Sequence, residues 1–199
     1  MARKAGFERR QILERARDLF WRKGYHATSM KDLEVALDLR PGSIYAAFGS
    51  KEKLYAEALE VYAEGTRSEA LATMQAAPSA LSGLAEHVRA LGRVGERDLP
   101  SNACMLVKTV LEVPEDSNLL RKTAEDLLSK AEAAFTEQFR KAKAARELPA
   151  DADPVRLGRR YQADVIGLRA YAQRSGSSEA VALLAEDIAL GVEGLRATS

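Results

Sequence analysis

The chain has few of the residues that disulfide-stabilised, metal-binding and membrane proteins depend on. Its 199 residues include one cysteine, Cys104, and two histidines. One cysteine excludes an internal disulfide framework and a metal site built from a cysteine cluster. No apolar run approaches the roughly 20 residues of a membrane-spanning helix. The charged N-terminus has no apolar stretch behind it, so we expect no signal peptide and a cytoplasmic protein.

The net charge of +1 conceals an uneven distribution along the chain. Residues 1–55 carry 12 Lys and Arg against 7 Asp and Glu, a balance of +5, and the remainder has a balance of −4. A basic first quarter is typical of a segment that faces a polyanion such as nucleic acid, although a solvated surface has the same composition. The apolar fraction of 46% is that of a globular protein.

Apolar residues recur at helical spacing through nearly the whole chain, and no segment has the alternation of a β-strand. We therefore expect an all-α fold of about nine helices. It would have a three-helix head (residues 1–55) and a larger helical body (residues 56–199). The second and third helices are predicted at 30–37 and 41–48, and a fourth starts after Ser50. The later ones are predicted at about 79–93, 102–113, 117–146, 154–174 and 178–195.

The two short helices around Asp38–Arg40 have the form of a helix-turn-helix. Ser29 and Asp32 are spaced as a capping box at the start of the first. The second presents small outward residues, which permit close approach to base edges in the major groove. Tyr45 and Lys51 flank that face, where they can contact phosphates, and the helix starts near Ser29 and Lys51 are natural phosphate sites. The candidate DNA-contacting residues are Thr28, Ser29, Met30, Arg40, Pro41, Gly42, Ser43, Tyr45, Ala46, Ala47 and Lys51.

The head resembles that of the TetR/AcrR family of bacterial transcriptional regulators over about 50 residues. The matching segments are Gly24–Tyr25, Thr28–Ser29, Met30–Leu33 and Gly42–Glu52. The family often has a Ser or Thr cap and a lysine before the glycine, where this chain has Arg40-Pro41. It often has His or aromatic residues where this chain has Ala46-Ala47. Base readout is therefore expected to depend more on Arg40, Ser43 or the basic arm Arg3-Lys4.

The resemblance implies a helix-turn-helix DNA-binding domain at 1–55 and a ligand-binding and dimerisation domain at 56–199. It implies a homodimer, formed through the last two helices, that binds a pseudo-palindromic double-stranded operator. A small effector would release the repressor by altering the spacing of the two heads, with the fourth helix transmitting the change. The apolar residues expected at the dimer face include Tyr161, Leu168, Val181, Leu184 and Val192. The candidate effector-pocket residues are Tyr62, His87, Cys104, Met105, Thr109 and Phe135.

Two other functions compete with this one. Asn102–Glu112 resembles the sixth helix of a family subgroup in which some cysteine-containing members sense electrophiles or metals. Cys104 could therefore act as an electrophile or redox sensor, or simply fill a helix interface. A non-enzymatic helical adaptor is the other alternative. His87 alone supports no metal site, and the sequence has no P-loop, dinucleotide-binding glycine pattern, zinc-helix motif or nucleophile–base set. We expect no cofactor and no enzymatic activity.

Overall fold

A computed structural model describes the backbone of residues 2–93, 98–114 and 118–197, and the side chains of residues 8–93, 98–114 and 119–197. Those ranges contain nine α-helices and no β-strand, which confirms the predicted all-α class. None of the helices described is long and apolar enough to cross a membrane. The side chains of Arg3 and Lys4, the predicted basic arm, lie outside the described residues.

The helices of the described ranges are numbered along the chain. In chain order they are α1 Ala2–Lys23, α2 Met30–Leu37, α3 Pro41–Phe48, α4 Lys51–Ala76, α5 Ala80–Gly92, α6 Met105–Glu112, α7 Asn118–Ala144, α8 Pro154–Tyr171 and α9 Ser178–Glu193. The bounds predicted for α2 and α3 are confirmed. The later predictions were too long by one to three residues at one or both ends; assignments of helix termini themselves differ by one or two residues.

Side-chain caps and glycines explain where several helices begin and end. Ser29 and Asp32 form the predicted capping box at α2, and the Ser50 hydroxyl accepts a hydrogen bond from the Lys53 amide at the start of α4. Asp153 caps α8 by accepting from two backbone amides, with proline at the first helical position. Gly24 ends α1 with a φ of +85°, a conformation that favours glycine.

The chain divides into two compact units. The first comprises Met1–Gly65 and Met105–Leu127, and the second comprises Thr66–Cys104 and Leu128–Ser199. Helices α4 and α7 therefore each pass through both units, and α6 belongs to the same unit as α1 to α3. The predicted division into residues 1–55 and 56–199 stays a prediction.

The first unit is organised around aromatic residues of α1 and α4. Phe20 and Tyr55 are both buried and pack edge to face, with their ring centroids 4.7 Å apart. Apolar residues of α2 and α3, among them Leu33, Ile44 and Phe48, are also buried. The shortest helices of the molecule thus contribute to the core of this unit, which stabilises them in a way that eight isolated residues could not achieve.

The second unit packs α9 tightly against α5. A Cβ added to Gly92 would lie only 2.5 Å from the Cβ of Ala185, so the two helices approach as closely as a glycine allows. Tyr161, Leu168, Val181 and Val192 all lie within the buried core of this unit. The prediction that these four side chains face a second copy of the chain was wrong, because they are buried within their own chain. Leu184, the fifth residue expected at the dimer face, is 37% exposed and stays a prediction.

Candidate nucleic-acid interface

The turn between α2 and α3 is closed by a residue in an unusual backbone conformation. Asp38 has φ 54° and ψ 46°, in the left-handed region, and its amide donates to the Glu34 carbonyl. The Leu39 amide donates to the same carbonyl at 3.2 Å. Aspartate tolerates this conformation better than most residues do. The chain therefore reverses within three residues, and α3 follows directly as the second helix of a helix-turn-helix.

α3 buries one narrow edge and exposes the rest of its surface. Ile44 and Phe48, one turn apart, are its only buried residues. Pro41 stands at its first turn, and Arg40 makes no side-chain cap, as the sequence predicted. At the other end Gly49 has a φ of +79° and its amide donates to the Tyr45 carbonyl. The helix is thus held by two apolar side chains and projects its other residues outward.

The outward face of α3 carries most of the predicted DNA-contacting residues. Tyr45 is 49% exposed, and the face also includes the exposed residues Arg40, Pro41, Gly42, Ser43, Ala46 and Ala47. A Cβ added to Gly42 would meet no atom within 4 Å. Apart from Tyr45 and Arg40, this face has small side chains. The small side chains leave the surface shallow, so the helix backbone can come close to the base edges when the helix enters a major groove.

Ser29 and Asp32 form a charged cluster at the start of α2. The Ser29 hydroxyl donates to the Asp32 carboxylate at 2.8 Å and accepts from the Asp32 amide. The same carboxylate accepts from the Ser29 amide and pairs with Lys23 Nζ at 2.8 Å. Lys23 above all, and then the Ser29 amide and hydroxyl, hold the pKa of Asp32 well below its usual range. Met30 follows, half-buried, as the first residue of the helix.

Thr28 is not part of the exposed face. It is fully buried, and its hydroxyl donates to the Gly24 carbonyl at 2.7 Å. Its side chain therefore joins the end of α1 to the start of α2 and cannot reach a phosphate. The sequence suggested a DNA contact because a hydroxyl residue precedes the helix, but the tertiary fold turns that hydroxyl inward.

Lys51 is held in place at the start of α4. Its Nζ donates to the Tyr25 carbonyl at 2.7 Å and lies 4.4 Å from the centroid of the Tyr25 ring. Partial burial lowers the pKa of Lys51, and the nearby negative charge of Asp32 opposes that shift. An ammonium group has three donors, so the contact with Tyr25 leaves it able to donate further. The lysine is a fixed positive charge at the start of α4, three residues after the end of α3.

One residue near α3 was not anticipated from the sequence. The Arg9 side chain of α1 donates to the Ala47 carbonyl of α3 at 3.1 Å and to both carboxylate oxygens of Glu57 of α4. Its guanidinium carbon lies 4.4 Å from the centroid of the Phe48 ring. The sequence offered only an arginine three residues before Ile12, and that position does not identify its partners.

The six candidate effector-pocket residues are divided between the two units. Tyr62, Met105 and Thr109 are buried in the first. The Thr109 hydroxyl contacts Tyr55 Oη at 2.8 Å and donates to the Met105 carbonyl. The other three candidates, His87, Cys104 and Phe135, belong to the second unit.

In the second unit, two of these residues form an aromatic cluster with Tyr161. His87 Nδ1 lies 2.7 Å from Tyr161 Oη, and the rings of Phe135 and Tyr161 pack edge to face at 4.9 Å. Because Tyr161 donates its one hydroxyl proton to the Leu84 carbonyl, His87 must donate through Nδ1. Cys104 is half-buried with a free thiol. Among the residues searched, no group of three or more His, Cys, Asp or Glu residues could hold a metal ion.

Helices α1 to α3, with their short turn and shallow exposed face, define a DNA-binding protein of the helix-turn-helix class. Residues 12–58 match the family model described as bacterial regulatory proteins, tetR family. Residues 80–187, more than half of the chain, match the model described as tetracyclin repressor-like, C-terminal domain. The chain belongs to the TetR family of transcriptional regulators.

Characterised relatives resemble it over most of their length. The HTH-type transcriptional repressor ComR of Escherichia coli (strain K12) is 25% identical over 175 residues, which are 87% of this chain and 83% of ComR. A cysteine mutant of the TetR family regulator CifR, complexed with a 26-bp double-strand operator DNA, is 31% identical. That match has a TM-score of 0.81 and covers 90% of this chain and 93% of the CifR chain. A second CifR mutant complex is 32% identical, with a TM-score of 0.83, and covers 92% and 95% of the two chains.

Proposed function

We propose that this chain is a homodimeric repressor that binds a pseudo-palindromic operator through α3 and leaves it when a small effector binds. The observation that carries this proposal is the outward face of α3, exposed along its length and built largely from small residues. Supporting it, the CifR structure that matches 90% of this chain is a complex with operator DNA.

Base readout in this proposal belongs to the exposed face of α3. Gly42, Ser43, Ala46 and Ala47 let the helix approach the base edges, and an alanine methyl can contact the methyl group of thymine. Arg40 adds the long donor side chain that most often reads guanine in the major groove. This face has few polar groups, so sequence-dependent DNA shape should also contribute to specificity.

Phosphate contacts surround that face. Tyr45 is exposed beside it, and Lys51 is fixed at the start of α4 with donors remaining. Ser29 and Met30 stand at the start of α2, where backbone amides favour an anion. These four residues are the proposed anchors that position α3 in the groove. Thr28 is excluded because its side chain is fully buried, whereas Ser29 is exposed even though its hydroxyl donates to Asp32.

Homodimerisation through α8 and α9 is supported by the residues that these helices leave uncovered. Leu183 and Leu190 of α9 are 63% and 54% exposed. On α8, Ala163, Gly167 and Ala170 form an exposed stripe of small residues, and a Cβ added to Gly167 would meet nothing within 4 Å. Apolar and small residues together suit close packing of two helix pairs related by a two-fold axis.

We propose that α4 and α6 carry the effector signal to α3. The described backbone of α4 begins at Lys51, shortly after α3 ends, and its residues from Thr66 onward belong to the second unit. Within the first unit, α6 contacts α1 and α4 through polar groups. Lys108 Nζ donates to the Trp21 carbonyl at the end of α1, and the Thr109 hydroxyl contacts Tyr55 of α4. An effector that favours one arrangement of these helices shifts the population of DNA-binding dimers.

The chain acts in this proposal by binding, not by catalysis, and in the cytoplasm, where bacterial DNA is accessible to it. The six candidate pocket residues remain proposals, as does the alternative in which Cys104 senses an electrophile.

The alternative function as a helical adaptor predicts a different binding behaviour. Binding to DNA would be independent of sequence and would disappear entirely as salt is added.

Selection of bound duplexes from a random DNA pool tests the proposal. We expect a consensus with two inverted half-sites whose centres are about one helical turn, or a multiple of it, apart. Enrichment of a single unrepeated site would contradict the two-fold dimer, and a pool without a consensus would contradict sequence-specific binding.

A further inference from the structure

α3 has little of its own to fix its orientation. It is eight residues long, makes no side-chain cap at its N-terminus, and buries only Ile44 and Phe48. A helix of this length does not persist in isolation, and its last carbonyl groups have no partner further along the helix. A small rotation about its buried edge would move the whole exposed face. A contact from outside α3 at its C-terminal end would restrict this rotation.

Arg9 makes three kinds of interaction, two of them with the C-terminal end of α3 and one with α4. Its Nη1 donates to the carbonyl of Ala47, one of the last carbonyls of α3. Its guanidinium lies 4.4 Å from the centroid of the Phe48 ring, within the range of a cation–π interaction. Its Nη2 donates to both oxygens of Glu57 at 2.8 and 2.7 Å. One side chain of α1 thus joins the backbone of α3, a core residue of α3 and a carboxylate of α4.

We infer that Arg9 and Glu57 act together as positioning residues that set the orientation of α3 for operator recognition. This inference rests on the proposed function of α3 as the base-reading helix. Arg9 acts through Ala47 and Phe48, and its role is to fix where the exposed face points. Glu57 completes the role because both of its carboxylate oxygens accept from Nη2 of Arg9. This charge-assisted contact restrains the guanidinium while Nη1 reaches Ala47.

The alternative role for Arg9 is a direct contact with a DNA phosphate. Removing the charge of Glu57 distinguishes this role from the positioning role. Removing a carboxylate near bound DNA strengthens binding if only the net charge matters. If Glu57 instead holds Arg9 in place, removing its charge weakens operator binding even though the protein becomes more positive. The two roles therefore predict opposite signs for Glu57→Gln.

The experiment compares binding of a duplex selected from a random pool with binding of a scrambled duplex of equal length. The variants are Arg9→Ala, Arg9→Lys and Glu57→Gln. Arg10→Ala and Glu64→Gln are matched controls, because Arg10 also joins α1 to α4 through Glu64. No contact of Arg10 with α3 is found among the described residues. Hydrogen exchange of the α3 backbone in each free protein reports on positioning without DNA.

We expect Arg9→Ala and Glu57→Gln each to weaken binding to the selected duplex about tenfold, the loss of one charge-assisted contact. Binding to the scrambled duplex should stay within about twofold, because phosphate contacts carry non-specific affinity. Arg9→Lys should not restore binding, since an ammonium group cannot match the guanidinium geometry. Exchange in α3 should be faster in all three variants and unchanged in both controls.

Unchanged or tighter binding of the selected duplex by Glu57→Gln would overturn the inference, as would an equal loss in Arg10→Ala. A wild-type protein that does not prefer the selected duplex would contradict the proposed function instead. The hydrogen-exchange comparison would then decide separately whether Arg9 and Glu57 hold α3.

Discussion

Gly42 stands where a larger residue would fold at least as well. Its backbone is helical, and no atom would meet an added Cβ within 4 Å. Glycine within a helix is less favourable than alanine by about 0.5 to 1 kcal/mol. Packing within the chain therefore does not explain this glycine. The proposed approach of DNA to the exposed face of α3 would explain it.

Gly42→Ala should consequently raise stability and lower DNA affinity together. We expect a gain of about 0.5 to 1 kcal/mol in the free energy of unfolding, measured by urea denaturation, with weaker binding to a selected duplex. Gly65→Ala is the matched control, because Gly65 lies in α4 and also has open space around it. It should give a similar gain in stability without loss of binding. Equal affinities for the two variants would count against a DNA contact at Gly42.

Asp32 gives the first unit a testable dependence on pH. Its pKa is lowered by Lys23 and by the Ser29 amide and hydroxyl. A carboxyl group with a lowered folded-state pKa stabilises the fold above its unfolded pKa of about 3.9, and this stabilisation is lost as pH falls through the folded-state value. Asp32→Asn should therefore be less stable than wild type at pH 7.

The difference in urea midpoint between Asp32→Asn and wild type should shrink as the pH is lowered from 5 toward about 2, in the window below the unfolded pKa. Asp126→Asn serves as a control, because Asp126 is exposed and paired only with the i−4 lysine among the contacts described. A difference for Asp32→Asn that stays constant across that pH range would refute the role assigned to its charge.

At the scale of helices, the start of α5 is capped by a residue far away in the sequence, Glu147. The Glu147 carboxylate accepts from the Ser79 hydroxyl and from the amides of Ala80 and Leu81. It also pairs with Arg196 at 3.2 Å, and its side chain is only 11% exposed. A carboxylate at a helix N-terminus satisfies unpaired amides and complements the helix dipole.

Glu147→Gln should destabilise the chain by about 1 to 2 kcal/mol, because it removes the charge from a partly buried helix cap. Thermal and urea denaturation would measure the loss. Glu137→Gln, which changes an exposed glutamate paired with Arg140, should alter stability by less than about 0.5 kcal/mol. Equal effects of the two substitutions would show that the cap contributes nothing beyond a surface charge.

Local signals in the sequence were enough to predict the helices but not their tertiary contacts. The capping residues Ser29 and Asp153 act within a few residues, so the starts of α2 and α8 could be placed. The inward turn of the Thr28 hydroxyl and the contact between Arg9 and Ala47 depend on packing between helices far apart in sequence. For the same reason, the sequence of α2 does not show that Leu33 is buried while Val35, also apolar, is 78% exposed.

At the scale of the whole molecule, the uncovered apolar residues of α9 support a dimer. Leu190→Glu should raise the dimer dissociation constant at least about 100-fold, because a two-fold interface loses an apolar side chain and gains a charge in each copy. Sedimentation at several concentrations would measure this. Leu111→Glu is the control on α6, where Leu111 is exposed but lies outside the proposed interface, and it should leave the dimer intact.

A dissociation constant that is unchanged in Leu190→Glu but raised in Leu111→Glu would move the interface away from α9. The same sedimentation runs with a selected duplex should show two copies of the wild-type chain per operator. One copy per duplex would contradict the two-fold reading of a pseudo-palindrome.

The central claim is that the exposed face of α3 reads the DNA sequence. Its most direct test is to repeat the random-pool selection with a variant in which Arg40 and Ser43 are both changed to alanine. The account predicts that the consensus relaxes at the same position in both half-sites, while the half-site spacing is retained, because base contacts specify and phosphate contacts position. A consensus identical to that of the wild-type protein would contradict it.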